Sequence, residues 1–136
     1  MRRTEARELF MQLLFQMEMQ NDYSLEIKKR FADEKMEHSD QKEYFDLMFD
    51  LTGKHLDEID KIIENSCKGW KLTRLSKVDL AVLRLCVCEI MYCTDIPDSV
   101  SINEAVDMAK KFGGEDSGKF VNGVLGHVAR GKDEKN

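Results

Sequence analysis

The segment from Val78 to Tyr92 places the strongest constraint on the fold. Its only charged side chains are Asp79, Arg84 and Glu89, and most of its other residues are apolar. A helix that is apolar around most of its circumference has to be covered by other elements, so we predict a buried central helix here. The buried Arg84 then requires a partner, which is either a carboxylate of the protein or an external phosphate.

Apolar residues at spacings of three and four predict further helices on both sides of this segment. The pattern is clearest over residues 3–20 and 101–113. The second of these segments opens with a serine-to-glutamate capping box from Ser101 to Glu104, and Gly113 is expected to end it in a left-handed conformation.

Three more segments complete the predicted set of helices. They are 24–37, 39–65 and a last helix that begins near Asp116 or Ser117. Gly53 either ends the long segment or only weakens it, so the total is six or seven helices. No segment shows the alternation of a strand, and the predicted fold class is all-α.

The composition is typical of one globular domain. The chain has 136 residues, of which 42% are hydrophobic and one is proline, and this length is sufficient for one core. No apolar segment approaches the ~18 residues of a membrane span, and the N-terminus lacks the apolar core of a secretory signal. We therefore expect a cytoplasmic protein without a membrane segment.

The cysteines do not predict a metal site. Their spacing differs from that of zinc ligands, and three of them lie in or beside the apolar central segment. Buried, reduced thiols are the expected state, with no metal and no cofactor. The four residues are Cys67, Cys86, Cys88 and Cys93.

The charge distribution leaves room for a local basic surface. The net charge of −5 argues against indiscriminate binding of nucleic acid. Arg2, Arg3 and Arg7 nevertheless stand together at the start of the first helix, and guanidinium groups match phosphate oxygens. The alternative for these arginines is an ordinary solvated helix face.

The turn before the last helix, residues 115–120, combines charge with an aromatic ring. Asp116 and Ser117 offer an acceptor and a hydroxyl at a helix N-terminus, with Lys119 close by. Phe120, one turn on, can stack on an unpaired base, or it can be a core residue at helical spacing. This mixture favours single-stranded RNA over duplex DNA, which is read by a strongly basic recognition helix.

The chain shows no catalytic pattern. It contains no glycine-rich phosphate loop, no nucleophile elbow and no helix with paired histidines. We therefore predict a binding protein and not an enzyme.

Several short motifs closely resemble the NusB transcription antitermination family over nearly the whole chain. They are Ala6-Arg7-Glu8, Trp70 with Arg74, Val82-Leu83-Arg84 with Glu89, Ile96-Pro97, Ile102-Asn103-Glu104-Ala105-Val106, Phe112-Gly113-Gly114 and Lys119-Phe120-Val121-Asn122-Gly123-Val124-Leu125.

The resemblance implies one all-α domain of two small helical bundles packed across each other. The halves would be residues 1–66 and 67–130, followed by a polar tail at 131–136. It also implies a bacterial factor that binds boxA RNA of ribosomal RNA transcripts together with the ribosomal protein NusE, as part of the RNA polymerase antitermination complex. Some members form homodimers that hide the RNA surface, so a homodimer stays open beside a monomer.

The resemblance also implies two sets of binding residues. Phe15 on the first helix and Asp79 at the start of the central helix would face NusE. The RNA-contacting set combines the N-terminal arginines, the arginine of the central helix and the turn before the last helix: Arg2, Arg3, Arg7, Arg84, Asp116, Ser117, Lys119 and Phe120.

Two alternatives remain open beside an antitermination factor. A similar domain forms the N-terminal RNA-binding part of ribosomal RNA cytosine methyltransferases, but this chain carries no cofactor loop and no catalytic cysteine motif. The second alternative is a helical adaptor that binds protein alone.

Overall fold

The computed structural model describes residues 1–135, and over that range it is built from helices without a strand. The six α-helices are α1 (Arg3–Gln20), α2 (Leu25–Lys35), α3 (Lys42–Ser66), α4 (Lys77–Tyr92), α5 (Asp98–Gly113) and α6 (Glu115–Lys135), and a 3-10 turn (Leu72–Arg74) precedes α4. The predicted all-α class is confirmed. None of the described helices combines the length and the apolar character needed to cross a membrane.

Helix α4 is the centre of the fold, as its composition predicts. It contacts α1, α3, α5 and α6, and every residue from Asp79 to Ile90 is buried. Its start is fixed by Ser76, whose Oγ accepts a hydrogen bond from the Asp79 backbone N–H at 3.0 Å. Helices α5 and α6 pack closely on each other, α3 also contacts α1 and α6, and α2 packs on α1.

The start of α5 differs from the prediction. The helix begins at Asp98, directly after Pro97, because proline has no N–H to satisfy and its φ of −59° suits a helix start. Ser101 is therefore inside the helix and does not cap it. Its buried hydroxyl donates instead to Glu89 Oε1 at 2.7 Å. The helix also ends one residue later than predicted, since Gly114 and not Gly113 carries the positive φ, of 98°.

Other boundaries are also resolved by the structure. Helix α3 is continuous through Gly53 and is distorted at His55, whose φ and ψ are not helical. In the local turn before this helix, Ser39 Oγ accepts a hydrogen bond from the Gln41 N–H. Helix α6 continues to Lys135, so the segment from residue 131 to that point is helical and not the frayed tail that its polarity suggests; residue 136 is outside the described range.

The thiols lie where the sequence places them, in the interior. Cys67, Cys86, Cys88 and Cys93 are free and buried. Burial raises the pKa of the Cys88 thiol to about 12, which keeps it protonated and unreactive at neutral pH.

Candidate functional site

A groove lies between the α3–α4 connection and the first turns of α6. Trp70 and Phe120 line two adjoining cavities in it, of about 380 Å³ and about 330 Å³. Both volumes are in the range of small-molecule sites. The first cavity is completed by Ser66, Cys67, Lys68, Lys119, Gly123, Val124, His127 and Arg130. The second is completed by Arg74, Leu75, Ser76, Asp79, Asp116 and Ser117. We call the whole surface the aromatic groove.

The turn between α5 and α6 is tightly built. Gly114 adopts a φ of 98°, a conformation that L side chains rarely take. A Cβ at Gly118 would lie 2.6 Å from Lys110 Cγ, so α6 passes close to this side chain and an added Cβ would force one of them to shift. Further along α6, at Gly123, no atom lies within 4 Å of the corresponding Cβ position.

The residues predicted to bind RNA at this turn share the aromatic groove. Asp116 and Lys119 are exposed, and Ser117 is half-buried. Phe120 is partly buried and packs against the core, while it also lines both cavities. The ring therefore packs against the core on one part of its surface and faces the cavities with another part, so it has features of both a core residue and a binding residue.

Asp79, at the start of the central helix, lines the second cavity together with Ser117 of the turn. It is only 8% exposed, which leaves little of it for a partner protein, contrary to the predicted NusE-facing role. Burial raises the pKa of its carboxyl, and the nearby hydroxyls of Ser117 and Ser76 oppose that rise. Among the described atoms its Oδ1 has no hydrogen-bond partner.

Arg7 is part of the core and not of the surface. It is 4% exposed, and its Nε donates to Glu89 Oε2 at 2.8 Å. The same fully buried carboxylate accepts from the Tyr44 hydroxyl and from Ser101. Because the Arg7 guanidinium group binds carboxylates of α4 and α5, it is not available to RNA. This corrects the prediction that placed Arg7 in the RNA-contacting set.

Arg84 is likewise satisfied inside the protein. Its Nε and Nη2 each donate to Asp60 at 2.8 Å, and its Nη1 donates at 2.8 Å to Glu18 and to the Tyr23 hydroxyl. Of the two partners considered for this arginine, the carboxylate is the correct one. Four of the five N–H donors of this side chain are thus bonded within the protein, and Arg84 is only 6% exposed, so it is not placed to bind an external phosphate.

The two arginines at the N-terminus differ from each other. Arg3 is exposed, yet its Nε donates to Gln41 and its guanidinium lies 4.2 Å from the centre of the Tyr44 ring. Within residues 1–135 the exposed Arg2 makes no side-chain hydrogen bond and no ion pair. Arg2 is therefore the N-terminal arginine best placed for an external phosphate.

The structure adds a set of cations that the predicted site lacks. Lys68, Lys71, Arg74 and Arg130 join Lys119 around the aromatic groove. All five are exposed, and the ion pairs found among the described residues include none of them. The sequence of residues 68–74 could have indicated this part of the site, because it combines a tryptophan with three basic residues.

Phe15 lies apart from the aromatic groove. It is partly buried and packs against the core from α1. Met19 follows one helical turn later on the same face and is 59% exposed. Together they present an apolar surface of the kind that is typical of protein contacts.

Comparison with known proteins gives one family. The model of the NusB family matches residues 4–130. Transcription antitermination protein NusB of Ruminiclostridium cellulolyticum is 46% identical over 132 residues, which is 96% of this chain and 90% of that protein. The NusB protein of Acetivibrio thermocellus is 43% identical over 132 residues, with 97% and 91% covered.

Solved structures agree with the sequence matches. T. maritima NusB superposes with a TM-score of 0.87 at 37% identity, covering 96% of this chain and 92% of that one. A crystal structure of antitermination factors NusB and NusE in complex with dsRNA gives a TM-score of 0.85 at 31% identity, covering 95% and 96%.

Proposed function

Because this chain belongs to the NusB family, we propose that it is a non-catalytic transcription antitermination factor of the cytoplasm. In this role it binds boxA-type single-stranded RNA of ribosomal RNA transcripts together with NusE. The complex then acts on RNA polymerase to promote read-through.

The observation that carries the RNA proposal is the position of Phe120. Its ring lines two open cavities and is surrounded by cations that have no carboxylate partner among the described residues. An aromatic face takes up an unpaired base, and the neighbouring cations bind the phosphates on either side. Asp116 and Ser117, in the second cavity, supply the acceptor and the hydroxyl for base edges.

Duplex RNA fits this groove less well than a single strand. The similar crystal structure holds NusB and NusE with dsRNA. Bases in a duplex are already stacked and paired, however, so a recessed phenylalanine cannot reach their faces. A test of the proposal therefore includes a duplex as a competitor.

We assign NusE to the apolar surface of α1. Phe15 supplies a partly buried ring, and Met19 supplies an exposed side chain one turn later. Apolar residues of this type are enriched in the buried centres of protein interfaces. The Asp79 carboxylate is too deeply buried to contribute more than an edge to such a contact.

Fluorescence anisotropy tests the proposal directly. We expect tighter binding of a boxA RNA than of a scrambled strand or a preformed duplex, and a further gain when NusE is added. Phe120→Ala should weaken binding by about 1–3 kcal/mol while the protein stays folded. Equal affinity for boxA and scrambled RNA in the presence of NusE would reject the proposal.

A protein-only adaptor makes the opposite prediction. Its contact with RNA would be weak and would not vary in the steep manner that phosphate contacts produce when salt is raised. A mass measurement on the free protein, run in parallel, distinguishes a monomer from a homodimer whose interface covers the aromatic groove.

A further inference from the structure

We propose that Trp70 is a second base-stacking platform, so that the bound strand runs from Phe120 across Trp70 along the aromatic groove. This inference rests on the proposed function and extends its binding site to a segment outside the predicted set.

The exposure of Trp70 is the first observation. Its side chain is 57% exposed, although it is the single tryptophan of the chain and the largest apolar ring available for the core. Large exposed apolar groups mark binding surfaces more often than scattered small ones do. An indole left in solvent beside a well-packed core is therefore placed for contact with a ligand.

The open space around the ring is the second observation. Trp70 lines both cavities that Phe120 lines. It also lines a third cavity, with Gly69, Lys71 and Arg74, on the side of the 3-10 turn. The two rings are thus neighbours in one groove, and the indole has room for a base beyond the position of Phe120.

The backbone of the turn fixes the position from which the Trp70 side chain extends. Lys68 and Gly69 both have positive φ, of 47° and 92°, and the Trp70 N–H donates to the Cys67 carbonyl at 3.1 Å. This turn follows directly on α3 and is anchored by the buried Cys67. Because this backbone is already ordered, little backbone entropy is lost when a base stacks on the ring.

The charge around the ring selects the class of partner. Lys68, Lys71 and Arg74 flank Trp70 within six residues of sequence, and Lys119 and Arg130 face it from α6. The chain as a whole carries a charge of −5, so this positive surface opposes the average of the molecule. Aromatic rings bordered by unpaired cations match a strand of bases and phosphates, whereas an apolar protein partner would leave the cations without counter-charge.

Intrinsic fluorescence gives a direct readout, because all tryptophan emission of the chain comes from Trp70. Titration with unlabelled boxA RNA should quench this emission and should saturate at the Kd measured by anisotropy. With NusE present, the Trp70→Phe variant provides the background to subtract. Full binding by anisotropy without any quenching would overturn the inference.

Substitution separates stacking from simple apolar contact. Trp70→Leu keeps an apolar side chain without a π face and should weaken boxA binding by about 5- to 150-fold. Trp70→Phe should retain most of the affinity. Leu47→Ala, at an equally exposed position on α3 that lines none of these cavities, is the matched control and should have no effect.

Abasic substitution in the RNA then identifies the base. At one nucleotide, removal of the base should weaken binding to the wild-type protein but cause no further loss in Trp70→Leu, since both changes remove the same contact. A different nucleotide should show this relation with Phe120→Ala. Strict additivity at every nucleotide would contradict a stacked base on Trp70.

The outcomes also separate this inference from the proposed function. If the wild-type protein prefers boxA and Phe120→Ala weakens binding, but Trp70→Leu does not, the second platform is wrong and the RNA-binding function stands. If Trp70→Leu weakens only the association with NusE, the ring belongs to a protein interface and the inference is overturned. Absence of any boxA preference rejects the function itself.

Discussion

At the scale of single residues, the role of an arginine depends on the group that its side chain contacts and not on its position in the sequence. Arg7 stands beside two other arginines at a helix start, yet its fork binds the buried Glu89. The side chain of Arg2, five positions earlier, makes no hydrogen bond and no ion pair with the described side chains. The sequence predicts that both are basic, but only the packing of α1 on α4 and α5 distinguishes them.

Arg7→Met should therefore lower stability without a specific effect on RNA. Removal of one partner leaves Glu89 charged and buried, a change that costs about 3–5 kcal/mol. We expect this loss in the free energy of unfolding from urea denaturation, and unchanged boxA affinity where the variant is still folded. Arg2→Met is the matched control, with unchanged stability and weaker RNA binding. The reverse pattern would return Arg7 to the RNA-contacting set.

Glu18 makes stability depend on pH in acid. Burial acts to raise the pKa of its carboxyl, but hydrogen bonds from Tyr23, Arg84 and Lys77 bring it down to about 2. A depressed pKa in the folded state stabilises the protein above the ordinary value of 4.5, and this contribution disappears as the pH falls from there towards 2.

Glu18→Gln measures this contribution. Since the carboxyl is partly solvated, we expect the variant to be less stable than wild type by about 1–2 kcal/mol at pH 7. The difference should shrink as urea denaturation is repeated at lower pH, between 4.5 and 2.5. The exposed Glu34→Gln, on α2, should show no such trend. A difference that stays constant with pH would exclude Glu18 as the titrating group.

At the scale of elements, hydrophobic periodicity predicts which segments are helical, but it predicts the ends of the helices and the contacts between them poorly. The burial of α4 follows from its composition alone, because few arrangements can hide a helix that is apolar on all sides. Ser101 has the pattern of a capping residue, but the proline before it starts the helix one turn earlier and places the hydroxyl in the core. Local capping rules do not take into account a buried acceptor such as Glu89, twelve residues away in sequence.

The aromatic groove also depends on contacts between segments that are distant in sequence. Its two sides, the connection around Trp70 and the first turns of α6, are about fifty residues apart in sequence. Phe120 and its neighbours could be predicted because they form one local pattern. The cations around Trp70 join them only through the packing of α6 on α3 and α4, which no local pattern encodes.

Two glycines of α6 test how the turn is built. Gly118→Ala places a Cβ 2.6 Å from Lys110 Cγ, and we expect a net loss of about 1 kcal/mol, because the clash exceeds the gain in helix propensity. Gly123→Ala meets no atom within 4 Å and should stabilise the same helix by about 0.5–1 kcal/mol. Chemical denaturation of both variants provides the measurement, and equal effects would show that Lys110 moves aside without cost.

At the scale of the whole molecule, an acidic protein carries a locally basic groove. The five cations of the aromatic groove, Lys68, Lys71, Arg74, Lys119 and Arg130, have no ion-pair partner in the described part of the chain, whereas other basic side chains are tied to carboxylates elsewhere on the surface. Such a cluster of unpaired cations favours the approach of a polyanion to this face.

Salt dependence measures how many of these cations meet phosphate. For a single strand, the logarithm of the binding constant falls with the logarithm of salt concentration by about 0.7 per phosphate contact. Engagement of all five cations would give a slope near −3.5, with any contact from Arg2 in addition. The double variant Lys71→Gln and Arg74→Gln should make the slope less negative by about 1.4. The charge-matched pair Lys54→Gln and Lys61→Gln on α3, exposed but outside the groove, should lower affinity slightly and leave the slope unchanged. If the two double variants change the slope equally, RNA binding depends only on the net charge of the protein, and the RNA is not bound specifically in the groove.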